Sequence, residues 1–512
     1  MRRITERADP MFFLGVFAIL FAFFFLPIAL ANRYCNDDII RSILGHYGWS
    51  NAGRHLAEPM MRGLALASSR TIDISPVPQL LALALLSWTA VLLRRRFDLP
   101  YTLLGALIIL PIAAQPFFLE NLAYRFDSVP MATSILFALL PITSIGRNRL
   151  GWILGVLSLL AAFNFYQPAF NTFLVMVVFE IIYAQVTHQP ISTQLQLVGF
   201  RAAQALCVAL IYKLLFAPKL SGWMKTHGAT ISLGDPASVG VNAKSFFVYV
   251  INALGPKGTF LFGVFLIVPL TIVLILSLGN AYVGRSTRRA WETSYLVASA
   301  VLLPCAALAC VVGPMVFLQQ PVFMPRVFVA FGVLLSGALI VSNKSLPETP
   351  FSQHAQTFGC SCLILLCAII AGSFGSASAD QRRYEEGIAM SLADDLAAAQ
   401  SKQSITGFVL EGTAGFSPTV DHMVKIFPVL EKLVNPYLIE DDFNTHYFLL
   451  HFIQGVPQFA NSELSAEQTE SVASTRCATS FDTARAAYRI NVLHGLAVVR
   501  FADHWSDCPK PH

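Results

Sequence analysis

Two adjacent carboxylates, Asp37 and Asp38, are the residues whose type and place best fit proton transfer. They follow the first long apolar run, residues 11–31, so they would lie at a membrane–water boundary. Partial burial there can raise the pKa of a carboxyl group towards the value that a general base needs. Arg41 follows both at helical spacing, which makes an ion pair feasible. The alternative interpretation is structural: Asn36 and Asp37 cap a helix that starts at Asp38.

A second group of polar residues lies between two later apolar runs, at Glu120, Tyr124 and Asp127. Carboxylates accept hydrogen bonds from hydroxyl groups, and tyrosine offers a flat ring, so these types suit a sugar-binding site. Tyr166 and Gln167 interrupt another apolar run, at a helix kink or at a tight turn. Ordinary solvation of a loop, with an aromatic residue at the membrane interface, accounts for the same residues.

Basic residues accompany both groups. Arg54, Arg62 and Arg70 recur about every eight residues within 52–70, a stretch with one basic and one apolar side, as in an interfacial helix. A lipid phosphate would explain cations at this depth, and Arg41, Arg54, Arg62 and Arg125 are the candidates. Attraction to ordinary anionic headgroups is the alternative explanation.

The elements that must position these residues are apolar helices. Of 512 residues, 55% are hydrophobic and 13% are charged, far from the balance of a soluble domain. We predict a polytopic α-helical membrane protein with about eleven spans. The predicted spans cover residues 11–31, 78–93, 101–118, 129–145, 150–165, 169–187, 198–216, 256–279, 292–313, 326–342 and 356–375.

Loop charges predict the orientation. Short basic loops alternate with longer loops of mixed charge, and the basic ones mark the cytoplasmic side. The N-terminus is then cytoplasmic, and the first external loop, 32–77, is expected to carry amphipathic helices. The basic positions are Arg2, Arg3, Arg7, Arg94, Arg95, Arg96, Arg147, Arg149, Arg285, Arg288, Arg289 and Lys344.

From about residue 376 the composition changes, because charged residues, Ser and Thr increase and the long apolar runs end. Residues 379–400 have helical spacing, and residues 405–410, 488–493 and 496–501 have the pattern of strands. We therefore predict two domains, a membrane domain at 1–375 and a small external α/β domain at 376–512. Cys477 and Cys508 both fall in this tail, where an oxidising compartment would allow a disulfide between them.

Short motifs follow one another in a fixed order along about residues 10–345. They are Asn36-Asp37-Asp38, Arg41, Gly48-Trp49, Gly53-Arg54, Asp73-x-Ser75-Pro76, Gln79-Leu80-Leu81, Glu120, Tyr124, Asp127 and Tyr166-Gln167-Pro168. The pattern resembles the type II Gtr glucosyltransferases of bacteria and phages, which add side-branch glucose to O-antigen and change serotype. That family is similar in turn to the GT-C glycosyltransferases, which have a multi-span body and use sugars carried on polyprenyl phosphate.

The resemblance implies an inverting hexosyltransferase of the bacterial inner membrane, acting on the periplasmic side. Asp37 or Asp38 would be the catalytic base, and we favour Asp37 because it is nearer the first span. The implied donor is a sugar, such as glucose, on undecaprenyl phosphate, and the implied acceptor is lipopolysaccharide O-antigen. The residues that we expect to contact the sugars are His46, Trp49, Glu120, Tyr124, Asp127, Tyr166 and Gln167.

We expect no metal and no other cofactor, because arginines can neutralise a leaving phosphate. The expected partners are membrane lipids, together with functional dependence on a synthase of the lipid-linked donor and on a flippase. Nucleic acid is not an expected partner, and neither a nucleotide-phosphate loop nor a zinc-protease motif occurs.

Two other functions fit a polytopic chain with external polar loops. A transporter or flippase of lipid-linked sugars would keep ionisable residues inside its spans, whereas here Glu180 and Lys213 lie near span ends. An O-antigen polymerase would instead use an oligosaccharide on lipid pyrophosphate.

Overall fold

The computed structural model describes residues 2–67, 69–231, 235–283, 289–402, 405, 407–440, 443–452, 458–459, 469–470, 472–473 and 481–501. Helices account for most of this part of the chain. Their bounds are α1 (Arg2–Ile19), α2 (Leu26–Ala31), α3 (Asp38–Leu44), α4 (Ala57–Leu64), α5 (Val77–Arg96), α6 (Leu103–Ile109), α7 (Phe118–Ala123), α8 (Ser128–Thr143), α9 (Arg149–Phe165), α10 (Phe170–Val186), α11 (Ile191–Leu215), α12 (Trp223–His227), α13 (Pro236–Val283), α14 (Ala290–Val312), α15 (Val329–Ser345) and α16 (Pro350–Lys402).

Shorter helical turns connect several of these helices. A π-helical segment, Leu20–Phe25, joins α1 to α2, so the first apolar run is one continuous rod. Single 3-10 turns lie at Ser50–Ala52, Leu110–Ile112, Gln167–Ala169, Ala217–Lys219, Gly313–Phe317 and Pro325–Val327.

Among the described residues, seven helical segments are long and apolar enough to cross a bilayer, which supports a membrane protein. They are Asp9–Ala31, Val77–Arg96, Gln167–Val186, Ile191–Lys219, Pro236–Val283, Ala290–Phe317 and Pro350–Lys402. Four shorter apolar helices, Leu103–Ile112, Ser128–Thr143, Arg149–Phe165 and Val329–Ser345, lie where the remaining predicted spans fall. The count of eleven spans therefore stays a prediction.

The outer faces of these helices are apolar. Leu206 and Leu210 on α11, and Phe260 and Ile267 on α13, are all exposed. Exposed apolar side chains of this kind would be unfavourable in water, whereas contact with the apolar tails of lipids is not. A helix also satisfies its backbone hydrogen bonds internally, as hydrocarbon requires.

Ion pairs between distant segments hold the end of the bundle that carries the predicted cytoplasmic loops. Asp9 pairs with Arg94 at 3.2 Å and also with Arg95. Glu180 of α10 accepts from Arg96 at 2.7 Å and from Arg201 of α11 at 2.9 Å. Glu180 stands out in the sequence as a charge near a span end, but its buried partner Arg201, inside the predicted span 198–216, does not.

The tail continues directly from α16, a helix of 53 residues and about 80 Å. The predicted domain boundary at residue 375 falls inside this helix, so the two parts share one rod, and the division into domains stays a prediction. The later helices and strands are α17 (Pro418–Ile426), α18 (Val429–Leu433), α19 (Phe443–Leu450), β1 (Gly407–Glu411), β2 (Gln458–Phe459), β3 (Thr483–Ala484), β4 (Tyr488–Leu493) and β5 (Leu496–Phe501).

The strands form one mixed sheet in the order β2-β1-β5-β4-β3, with β1 parallel to β2 and β5. The hairpin of β4 and β5 turns at His494 and Gly495, both with positive φ, as a two-residue turn requires. The predicted small α/β element is thus present, and its strands lie close to the predicted bounds. Cys477 and Cys508 lie outside the described residues, so their predicted disulfide stays a prediction.

Replacement of Glu180 by Ala should destabilise the protein strongly, because it leaves the buried Arg201 without its carboxylate. We expect a loss of about 3–5 kcal/mol in the free energy of unfolding. Thermal unfolding in detergent measures the loss, with Glu348→Ala at an exposed position as the control. Equal melting temperatures for the two variants would contradict a structural role for the pair.

Candidate active site

The two candidate carboxylates lie at the start of α3. The helix begins at Asp38, as the structural alternative required, but the Asp37 side chain does not cap it. A turn precedes the helix, with the Asp38 N–H donating to Cys35 O at 3.0 Å and the Ile39 N–H to Asn36 O at 3.2 Å. Asn36 has a φ of +42°, a left-handed conformation that Asn tolerates better than most residues.

Asp38 points into the protein and is fully buried. Its Oδ2 accepts the backbone N–H of Arg125 at 2.8 Å, and its Oδ1 has no partner among the described residues. Burial raises the pKa of Asp38 to about 8, against the opposing effects of the Arg125 N–H and of Arg41. A carboxyl group in this state is mostly neutral near pH 7, and it has no open path to a substrate.

Asp37 differs from its neighbour although the two are adjacent in sequence. Its side chain is partly exposed, and in the described part of the chain it makes no side-chain hydrogen bond or ion pair. Its charge nevertheless acts electrostatically on Arg41, Arg326 and Tyr124. Asp37 is therefore a partly exposed carboxylate near the buried Arg41 and the partly buried Arg326.

Asp127 is the centre of one arginine cluster. It accepts from Arg54 at 2.9 Å, from the Trp49 indole N–H at 2.7 Å, and from Arg41. Arg41 therefore pairs with Asp127, and the ion pair with Asp37 or Asp38 that helical spacing made feasible is not formed. Burial alone would raise the pKa of Asp127, but Arg41 and Arg54 together hold it below its usual range.

Glu120 is the centre of a second cluster, which contains a residue that sequence analysis missed. Arg326 donates to Glu120 from its side chain and from its backbone, each at 2.8 Å, and also to the Tyr124 hydroxyl. The Tyr166 hydroxyl donates to Arg326 O at 2.9 Å. Arg326 is the first residue of the predicted span 326–342. A lone cation at the external end of a span is the sequence signal that could have identified it.

Arg62 and Arg125, two other predicted phosphate ligands, have partners away from both clusters. Arg62 of α4 pairs with Glu58 at 2.9 Å and lies over the Tyr47 ring. Arg125 pairs with Asp73 at 2.9 Å. The expected interfacial helix over 52–70 is shorter than predicted, because α4 covers only Ala57–Leu64.

The remaining predicted residues border the clusters. The Gln167 amide donates to Ala52 O at 2.8 Å and so supports the turn before Arg54, whose guanidinium lies 4.9 Å from the Tyr166 ring centre. The side chain of His46 is largely exposed. The burial of its remaining part and the nearby charge of Arg41 both lower its pKa. The structure thus brings together residues from the first, second and later predicted external loops around Asp37.

This arrangement can perform one kind of chemistry well. A free carboxylate can accept a proton, while arginines fixed by buried carboxylates present positive charge that needs no rearrangement when a negative charge develops nearby. Of these arginines, Arg41 and Arg54 also keep a buried Nε without a partner among the described residues.

The raised pKa of Asp38 should make stability depend on pH. The unfolded chain releases this proton near pH 4 and the folded protein near pH 8, so stability falls as pH rises between these values. Asp38→Asn cannot ionise and should show a smaller fall. Melting temperatures of both proteins near pH 5 and near pH 8 measure the difference, and parallel curves would contradict the assignment.

Comparisons with known proteins identify the family of this chain. A family profile described as "Glucosyl transferase GtrII" matches residues 26–336, a stretch that contains Asp37, Glu120, Asp127 and Arg326. An "Uncharacterized 55.3 kDa protein in gtrB 5'region" of Salmonella phage P22 is 23% identical over 447 residues, which cover 86% of this chain and 88% of that protein. No solved structure matches. Because the profile covers more than half of the 512 residues, this chain belongs to the GtrII glucosyl transferase family.

Proposed function

We propose that this membrane protein transfers one sugar, glucose in our proposal, from undecaprenyl phosphate to a hydroxyl of lipopolysaccharide O-antigen. In this proposal the transfer occurs at the periplasmic face of the bacterial inner membrane, with the N-terminus in the cytoplasm. The observation that carries the proposal is the accessible Asp37 carboxylate beside the paired arginines, within the part of the chain that the family profile covers.

The reaction is a single displacement. An acceptor hydroxyl loses its proton to Asp37 as its oxygen attacks the anomeric carbon. The bond from that carbon to the phosphate oxygen breaks, and polyprenyl phosphate leaves with the bonding electrons. Attack from the face opposite to the leaving group inverts the anomeric centre, so a β-linked donor gives an α-linked product.

The arginines supply the electrostatic part of catalysis. Arg41 and Arg54 are held by Asp127, and Arg326 is held by Glu120, so their positions are set before substrate binds. Positive charge fixed in this way favours the leaving phosphate dianion over the monoanionic phosphodiester of the donor. Arg62, half-exposed on α4, is placed to meet the headgroup region.

The donor itself must come from elsewhere. In our proposal a synthase makes the lipid-linked sugar and a flippase carries it across the membrane, so activity in cells depends on both. A transporter would move a lipid-linked sugar without forming a new glycosidic bond, and a polymerase would transfer an oligosaccharide; detection of single-hexose transfer separates these functions.

Replacement of Asp37 and Asp38 by Asn should have different effects. Asp37→Asn removes the base and should lower kcat by about 10²–10⁴-fold. Asp38→Asn keeps an oxygen to accept the Arg125 N–H and should retain most activity. The measurement is hexose transfer from undecaprenyl-phosphate glucose to O-antigen lipopolysaccharide by purified protein. Loss of turnover in Asp38→Asn alone would transfer the role of base to that residue.

Chelation of divalent cations should leave turnover nearly unchanged, because guanidinium groups carry the positive charge in this scheme. The assay is the same transfer reaction with and without EDTA, with Mg²⁺ re-addition as the control for effects on lipopolysaccharide aggregation. Turnover that stops in EDTA and returns with Mg²⁺ would refute the metal-free scheme.

A further inference from the structure

The tail and the first loop are joined by a buried ion pair. Glu385 of α16 is fully buried and accepts from Arg33 at 2.9 Å, across 352 residues of sequence. It also accepts the backbone N–H of Tyr437 at 2.5 Å. The Arg33 guanidinium lies 3.9 Å from the Tyr437 ring centre and donates to Asn435 O at 2.5 Å. Residues 435–437 are therefore fixed directly against the segment that leads to Asp37.

Helix α3 is fixed by the tail as well. Ile39 is fully buried, and it belongs to the same apolar cluster as Ile388 and Leu392 of α16 and Phe408 of β1. Asp38 and Arg41, in contrast, contact the helical body through Arg125 and Asp127. Helix α3, which follows Asp37, thus contacts the tail with one side and the helical body with the other.

One side chain connects these parts at the turn itself. Asn435 donates from its amide nitrogen to the Asn36 side-chain oxygen at 3.0 Å. The Asn36 amide nitrogen donates to Glu120 at 3.0 Å and to the Tyr124 hydroxyl at 3.1 Å. The Asn36 amide is thus held from the tail through its oxygen and from the helical body through its nitrogen.

This matters because Asp37 has no side-chain partner of its own in the described part of the chain. Its place depends on the backbone, and the residue before it is in a left-handed conformation that the surroundings must stabilise. Without the bond from Asn435, the Asn36 amide is held from the helical body alone, and the turn can relax.

We infer that Asn435 is a positioning residue, which acts through Asn36 to set the Asp37 carboxylate for the reaction; the inference rests on the proposed function. The tail is then part of the catalytic apparatus. Reacting groups tolerate little displacement, since an error of about 1 Å can cost about 10²-fold in rate.

The kinetic test compares Asn435→Ala with Asp421→Asn, an exposed tail position that serves as the control. Asn435→Ala should lower kcat by about 10–100-fold and leave the KM values of donor and acceptor within about twofold. Asn435→Gln keeps the donor and should recover part of kcat. In an Asn36→Ala background, Asn435→Ala should have no further effect, because the two residues act as one unit. A raised acceptor KM with normal kcat, or additive losses, would overturn the inference.

A second readout does not depend on the substrate. Amide hydrogen exchange at Asp38 and Ile39, whose N–H groups close the turn, should become about tenfold faster in Asn435→Ala and stay unchanged in Asp421→Asn. If wild-type protein transfers no lipid-linked sugar, the proposed function fails and this exchange measurement alone decides the positioning role. Unchanged exchange at both amides would overturn it.

Discussion

A charged group that leaves water must find an opposite charge, and the polar end of this protein is built on that constraint. Asp127, Glu120 and Glu385 are all buried, and each is paired with arginine from another part of the chain. These three pairings join the first loop, the second loop, the start of α15 and the tail. The site is precise because breaking any one pair leaves an uncompensated charge, which costs more than an ordinary contact.

Asp37 stands apart in this arrangement. The charges of the buried carboxylates are used in ion pairs that hold the structure together. Asp38 avoids the cost of burying a charge because it holds a proton. Asp37 lies in a partly exposed position, near arginines whose places are fixed by Asp127 and Glu120. The structure thus gives two adjacent aspartates different environments, one buried and hydrogen-bonded and one partly exposed.

The helices and strands that depend on the local pattern of apolar and polar residues could be predicted from the sequence. Apolar runs located the helices of the body, and alternation with a His494-Gly495 turn located β4 and β5. The family motifs also marked Glu120, Tyr124, Asp127 and Tyr166. Glu120 and Tyr124 accept hydrogen bonds from Asn36, Asp127 pairs with Arg41, and the Tyr166 hydroxyl donates to Arg326 O. Partners could not be predicted in the same way: Arg41 lies 86 residues from Asp127, and Arg326 lies 206 residues from Glu120. Helical spacing suggested a local partner for Arg41, and only the packing of α3 shows why a distant one replaced it.

The pairing of Arg33 with Glu385 also constrains the order in which the protein is made. The two residues are separated by 352 positions, so at about 5–20 residues per second Arg33 leaves the ribosome about 20–70 s before its partner. During that interval the tail is not yet available to contact the first loop, and Arg33 must remain in water or among lipid headgroups. The helical body can assemble while the chain is still growing, whereas the turn that carries Asp37 is completed only after synthesis has passed residue 437. The helical body can thus form before the contacts between the tail and the first loop are made.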